Sequence, residues 1–441
     1  MKSSFQERIM PRKVLIITYY WPPSGGAGVQ RWLKFVKYLR KFDWEPIVYT
    51  PSNPEYPAID ETLVAEIPEG ISVLKTPIWE PYNIYKKLSG KSKEEKVNAS
   101  GFISEKKSPG ILKSFSIWLR GNFFIPDARK FWIKPSEKFL VEWLKNNKVD
   151  AIVSTGPPHS MHMIALEVHK KTNIPWLADF RDPWTTIDFY DELRLTRLAD
   201  RKHHKMELQV LTMANEVVVI GESMKEGLLK IKHRDYKVIT NGFDIEASQQ
   251  IPVETDEKFT IAHIGSMAKS RNPENLWKAL AELKSRTLEF SNDLEIKLIG
   301  SVDFSVTESI QSHGLSDNLT KIDYQPHDQI ILYQRKARVL LLIINDTPNA
   351  KVILPGKFFE YMASGRPILC IGPMDGDAAK VINETGAGLV ADVNSQEDIL
   401  QKLTLMYQNY KQKIDVIAPS GIARYSREEL TRQLAEILNS L

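Results

Sequence analysis

Short runs of apolar and β-branched residues recur along the chain, separated by longer stretches in which apolar positions return every three or four residues. A run apolar on both faces reads as a buried parallel strand, and the 3.6-residue period reads as the helix crossing over to the next one, so the pattern predicts an α/β fold. Strands are expected at Val14–Thr18, Pro46–Thr50, Ser72–Lys75, Asp150–Ser154, Trp176–Asp179, Glu216–Ile220 and Lys237–Thr240. A second series follows at Thr260–Gly265, Glu295–Gly300, Val339–Ile344, Pro367–Ile371 and Leu389–Ala391. Each series opens with a strand running into a glycine-bearing loop and then a helix, which predicts two Rossmann-like domains. The turn Asn241-Gly-Phe-Asp244, followed by the polar stretch Glu246 to Lys258, sets the expected boundary, giving domains at 1–244 and 245–423. The final segment, 424–441, carries Leu430, Leu434, Ile437 and Leu438 on one helical face and is expected to pack back on the first domain. Residues 82–134 break the rhythm and read as a basic, aromatic, partly flexible insertion, with twelve Lys and Arg against four Asp and Glu between Lys86 and Lys134.

Composition narrows the class further. The chain has 441 residues, 42% of them hydrophobic and 26% charged, enough for two domains each with its own core. A net charge of +4 is too small to indicate nucleic acid. The single cysteine, Cys370, excludes an intrachain disulfide and any multi-cysteine metal site. The longest apolar runs, such as Val339 to Ile344, fall far short of the ~18–20 residues that span a bilayer. The first ten residues lack the apolar core of a secretory signal, so a cytoplasmic location is expected.

Four segments could carry chemistry. The loop Trp21-Pro-Pro-Ser-Gly-Gly-Ala-Gly28 precedes a helix, where glycines permit close approach and free N–H groups attract an anion, unless it is only a tight turn. A dinucleotide site would want an acidic residue at the end of the second strand, which instead ends Val48-Tyr49-Thr50-Pro51. Ser154-Thr-Gly-Pro-Pro-His-Ser160 puts His159 at a strand's C-terminal end beside a helix start, the usual ligand side of such sheets, although a lone histidine is as readily structural. Asp179-Phe-Arg-Asp-Pro-Trp184 offers Arg181 and Asp182 on the acceptor side, or simply as partners of each other or of neighbours. The richest segment, Leu354-Pro-Gly-Lys-Phe-Phe-Glu-Tyr-Met-Ala-Ser-Gly-Arg-Pro367, reads as a short helix with Pro355 in its first turn and Gly365 at its end. Lys357 and Glu360 would share its exposed face, as a surface ion pair or as a diphosphate and ribose site. Arg271, in the loop opened by Gly265, would add a second cation there, with Lys269 its competitor. Asp375-Gly-Asp377 has the spacing of a metal-binding carboxylate pair, but Asp377 reads as a helix N-cap and no metal site is expected.

In their order along Lys13 to Leu438, these motifs together resemble the glycosyltransferase family 4-like (group 1) enzymes. The resemblance implies a GT-B fold, two Rossmann-like domains facing across a cleft, and retaining, metal-independent transfer from a nucleotide sugar, with no cofactor. It assigns the donor diphosphate to Lys357 and Arg271, the ribose to Glu360, and the approach to phosphate and sugar to Gly25, Gly26 and Gly265. His159 matches the histidine that contacts the sugar and leaving group. One departure stands out: the family often has two glutamates separated by seven residues, and the first position is Val352 here. The expected partners are a nucleotide sugar and a sugar or lipid-linked acceptor; Trp118, Phe123, Phe124, Arg129, Lys130 and Trp132 of the insertion suit an anionic membrane surface or a lipid-linked acceptor, or else form a solvated lysine-rich loop over an ordinary apolar cluster. A nucleotide-sugar epimerase, a phosphorylase and a noncatalytic nucleotide-sugar-binding protein remain as alternatives on the same fold.

Overall fold

The computed structural model describes residues 11–81, 118–187, 190–244, 253–344, 346–414 and 419–441. Most of the expected insertion, 82–117, therefore lies outside the described residues. The chain forms two compact units, one built from 1–220, 224–240 and 430–441, the other from 221–223 and 241–429. The boundary thus falls four residues before the expected 244.

In the first unit, seven strands make a parallel sheet: β1 Arg12–Ile17, β2 Trp44–Pro51, β3 Ser72–Thr76, β4 Ala151–Gly156, β5 Trp176–Phe180, β6 Glu216–Val219 and β7 Lys237–Val238. Their order is β3-β2-β1-β4-β5-β6-β7, so the chain reverses direction across the sheet between β1 and β4, where Val14 pairs with both Pro46 and Ala151. Loops diverge at such a point and leave room for a ligand beyond the strand ends. Helices α1 (Ala27–Leu39), α2 (Ser160–Thr172) and α3 (Arg197–Met213) belong to this unit. Helix α1 buries Val29, Leu33 and Val36, at i, i+4 and i+7, against Ile16 and Val48 of the sheet.

The second unit repeats the plan with β8 Phe259–Ile264, β9 Leu294–Ile299, β10 Leu319–Ile322, β11 Val339–Ile343, β12 Ile368–Ile371 and β13 Gly388–Ala391, in the order β10-β9-β8-β11-β12-β13. Five of the six match expected strands. Strand β10, Leu-Thr-Lys-Ile, went unrecognised because an edge strand with no fully buried residue carries little hydrophobic signal. Its helices include α5 (His327–Lys336), α6 (Gly356–Ala363) and α7 (Asp377–Thr385), and its residues 221–223 open α4 (Glu222–Ile231). Cys370 lies buried in β12, where desolvation pushes its thiol up to about 12, so it packs as a small apolar residue.

The last helix, α8 (Arg427–Asn439), starts three residues later than expected. From Leu430 onward it belongs to the first unit. Leu430, Leu434 and Leu438 are at most 4% exposed and join the cluster of Trp44, Leu39 and Val14. Its face therefore completes a core whose other members run from Val14 to Ile239.

Candidate functional site

In the second unit, β8 is buried throughout and ends at Gly265, whose φ of 113° lies where a side chain would be strained. A Cβ at Gly265 would stand 3.8 Å from Lys357 Nζ, so the ammonium lies over this glycine. Lys357 Nζ donates to the Ile264 carbonyl at 3.1 Å and approaches His263 Nε2 at 3.4 Å. His263 Nδ1 lies 3.2 Å from the Leu341 carbonyl, which can only accept; that places the ring proton on Nδ1 and leaves Nε2 to accept from lysine. Burial, then the neighbouring Lys357, pulls His263 down to about 3. Burial, then Arg271, lowers Lys357 to about 7. The charge of Arg271 thus acts on Lys357, and Lys269 is instead exposed, its charge acting on Asp303.

Helix α6 starts one residue later than expected, with Pro355 as N-cap and no side chain bonded to its first amides. Its N–H groups and partial positive charge are therefore open to an anion. Phe358, Phe359, Tyr361 and Met362 are fully buried, and Tyr361 Oη accepts from the Ile264 amide at 3.0 Å, locking the helix to the end of β8. Lys357 and Glu360 do not pair on an exposed face as a surface ion pair would; both are half-buried and turn to different partners. Glu360 Oε2 accepts from Nε2 of Gln334, a residue of α5 only 2% exposed, at 3.2 Å.

Asp377 is not an N-cap: Gly376 holds that place on α7. Its carboxylate accepts from the Ser223 hydroxyl at 2.8 Å and amide at 3.1 Å, in the first turn of α4. Asp375 pairs with Lys351 at the surface. The Asp-Gly-Asp carboxylates therefore point to separate partners. Val352, the departure from the paired-glutamate pattern, ends the short turn Ala350–Val352.

In the first unit, the glycines of the first loop divide their work. Gly25 is buried, its amide donates to the Ala58 carbonyl at 2.9 Å, and a Cβ there would press on Ala58 and Asp60 at 3.3 Å. Gly25 thus packs against the Ala58–Asp60 segment. Gly26 is exposed, has φ of 87° and is the N-cap of α1, with nothing within 4 Å of an added Cβ. No side chain caps α1 and its first turn holds no acid, so this helix start is open as well.

The start of α2 is different. Asp127 accepts from the Ser160 amide and hydroxyl, both at 2.8 Å, so its own carboxylate fills the anion position. His159 is the N-cap of this helix, 8% exposed, with its ring 4.4 Å from Trp184 at an interplanar angle of 3°. Its Nδ1 has no hydrogen-bond partner. Burial, then His162, His203 and Arg181, holds it well below the usual histidine range, so it is neutral at pH 7.

The acceptor-side candidates fare unevenly. Arg181 donates to the Gly28 carbonyl at 2.5 Å and to the Pro157 carbonyl, bridging the two loops. Asp182 is exposed and lies within electrostatic reach of Arg181. Arg129 is 4% exposed, pairs with Glu80 at 3.1 Å and covers Tyr19 at 4.4 Å; Trp132 is 1% exposed and stacks on Tyr49. Both are thus packed inside the first unit; sequence composition shows that a segment is basic and aromatic but not which side chains the core absorbs. Trp118 is half-buried beside Phe123, which is exposed together with Phe131 and Trp79.

Two doubly wound parallel units, each with an uncapped helix after its first or a later strand, define the GT-B class of protein. Residues 244–418 match the family model of glycosyl transferases group 1, and the chain has the GT-B fold. A search of curated proteins returns no match. Among solved structures, it is similar to a glycosyltransferase from Rickettsia africae, with TM-score 0.62 and 16% identity over 98% of both chains. It is also similar to sucrose-phosphate synthase from Thermosynechococcus elongatus, with TM-score 0.61 and 11% identity over 97% of this chain and 98% of that one. The lipopolysaccharide outer core galactosyltransferase WaaB gives TM-score 0.58 and 14% identity over 97% of this chain and all of its own. At these identities the likeness is one of fold. Among the described residues no helix is long and apolar enough to cross a membrane.

Proposed function

We propose that the protein is a retaining, metal-independent hexosyltransferase that moves a sugar from a nucleotide-diphosphate sugar to a hydroxyl acceptor during cell-surface polysaccharide or glycolipid assembly. The observation that carries this reading is the half-buried Lys357 ammonium, held over Gly265 near the uncapped start of α6 and within electrostatic reach of Arg271. As the glycosidic C–O bond breaks, negative charge gathers on the diphosphate and the sugar becomes oxocarbenium-like. Fixed cations and helix amides bind that charge more tightly than the ground state, which lowers the barrier. The acceptor oxygen enters on the face the diphosphate leaves, and the departing phosphate oxygen takes its proton. A divalent ion is not required for this charge balance, since Lys357 and Arg271 supply it.

In this scheme Glu360, oriented by Gln334, accepts the ribose hydroxyls, while His159 and Gly26 contact the transferred sugar. On the acceptor side, Trp118 with the exposed Phe123, Phe131 and Trp79 and the nearby Lys130 suits a lipid-linked acceptor at an anionic membrane surface. The test is donor binding and slow hydrolysis across UDP-, GDP-, ADP- and dTDP-sugars in EDTA, for wild type and Glu360→Ala. Selective binding that survives EDTA and weakens roughly tenfold or more in Glu360→Ala is expected, the scale of a lost hydrogen bond to a charged group. Binding that requires a divalent metal would overturn the metal-independent reading, and tight binding with no turnover would favour a noncatalytic nucleotide-sugar-binding protein.

A further inference from the structure

The segment Asp179-Phe-Arg-Asp-Pro-Trp184 ties together the parts of the first unit around His159. Asp179 is 1% exposed and accepts from Arg31 and Trp32 on α1 and from Thr155 on β4. Arg181 holds the Gly28 and Pro157 carbonyls. Trp184, 3% exposed, lies flat on His159, and its indole N–H donates to His203 Nδ1 at 3.0 Å. His203 and Glu207 are buried four residues apart on α3, and Glu207 accepts from the hydroxyl of Thr185. One helix face therefore pins two consecutive residues of the loop after β5. No hydrogen bond holds His159 Nδ1, so stacking is the contact that sets the plane of its ring.

We propose that Trp184, anchored by His203, is a positioning residue for His159: the indole plate fixes the orientation of the imidazole and keeps water off one of its faces. This rests on the reading of His159 as the residue that contacts the transferred sugar. Removing the plate frees the ring to turn, and a displacement of about 1 Å at a reacting centre costs on the order of a hundredfold in rate. Binding of the nucleotide, held elsewhere, is left largely intact. Loss of the plate also admits water, which relieves the desolvation that keeps the ring neutral; His162, His203 and Arg181, the other charged or titratable groups acting on it, remain in place.

The test uses the full chain with whichever of UDP-, GDP-, ADP- or dTDP-glucose it hydrolyses as probe. In parallel, the His159 ring is followed by nitrogen-15 NMR through a pH titration. Trp184→Ala is expected to lower kcat about tenfold or more with donor KM within about threefold, and to move the His159 midpoint up toward 6.5. Trp184→Phe keeps a plate and loses only the bond to His203, so it should fall between; combining it with His203→Leu should add nothing further. In a His159→Ala background, Trp184→Ala should cost no additional kcat. Multiplicative losses there, or an unchanged midpoint in Trp184→Ala, would overturn the proposal. Full activity in His159→Ala would overturn the role assigned to His159 instead, while the NMR midpoint would still decide whether Trp184 holds the ring.

Discussion

At the scale of single residues, Lys357 makes the sharpest prediction. Its carbonyl and imidazole partners cannot neutralise an ammonium, and with the pKa lowered to about 7 the free site loses its charge just above neutrality. A bound diphosphate favours the charged form and raises the pKa again, so binding takes up a proton wherever free Lys357 is neutral. Affinity for a nucleoside diphosphate should therefore be greatest below pH 7 and weaken as pH rises, by about tenfold between pH 7 and 8.5. His263, at about 3, is silent in this range. Calorimetry from pH 6 to 9 would show the slope in wild type and a flat profile in Lys357→Arg, whose guanidinium stays charged throughout. A pH-independent affinity in wild type would remove Lys357 from the anion site.

At the scale of elements, three helix starts that look alike in sequence differ in what fills them. Those of α1 and α6 carry no side-chain cap, whereas α2 is capped by Asp127 from a distant segment. Asp127→Ala should cost about 1–2 kcal/mol of stability, the value of a lost N-cap, and urea unfolding of the full chain would measure it. The strut beneath these helices is more demanding. Burial raises the Asp179 carboxyl, but the Arg31 charge and the hydrogen bonds from Arg31 and Trp32 outweigh it and leave it below the usual range. Asp179→Asn would leave Arg31, 2% exposed, without its counter-ion, a loss on the order of 3–5 kcal/mol and far larger than the capping change.

At the scale of the whole molecule, the first unit depends on the chain's last dozen residues. Leu434 is 1% exposed within the cluster that includes Trp44 and Val14, and Leu434→Ala should destabilise that unit by about 2–5 kcal/mol. Hydrogen exchange would show faster exchange in β1 and β2 with β8 and β11 unchanged, because the second unit has separate cores. Equal acceleration in both sheets would mean that the units unfold as one.

The sequence alone determined the α/β architecture, twelve of the thirteen strands among the described residues, a boundary within four residues and the short helix that carries Lys357 and Glu360. These features rest on local pattern: apolar runs, helical period, and proline or glycine at helix ends, all readable in neighbouring positions. What only the tertiary structure decided was how distant residues meet. His263 stands one residue before the end of an apolar strand, and Gln334 is one polar residue in a half-apolar helix; nothing local marks them as holding Lys357 and Glu360. Arg129 and Trp132 look like surface residues by type, yet Glu80, Tyr19 and Tyr49 bury them. Trp184 reads as part of a motif but acquires its place against His159 and His203 only when β4, β5 and α3 come together. Burial and partnership are properties of the packed chain, since free energies of desolvation and hydrogen bonding depend on surroundings that no short stretch of sequence contains.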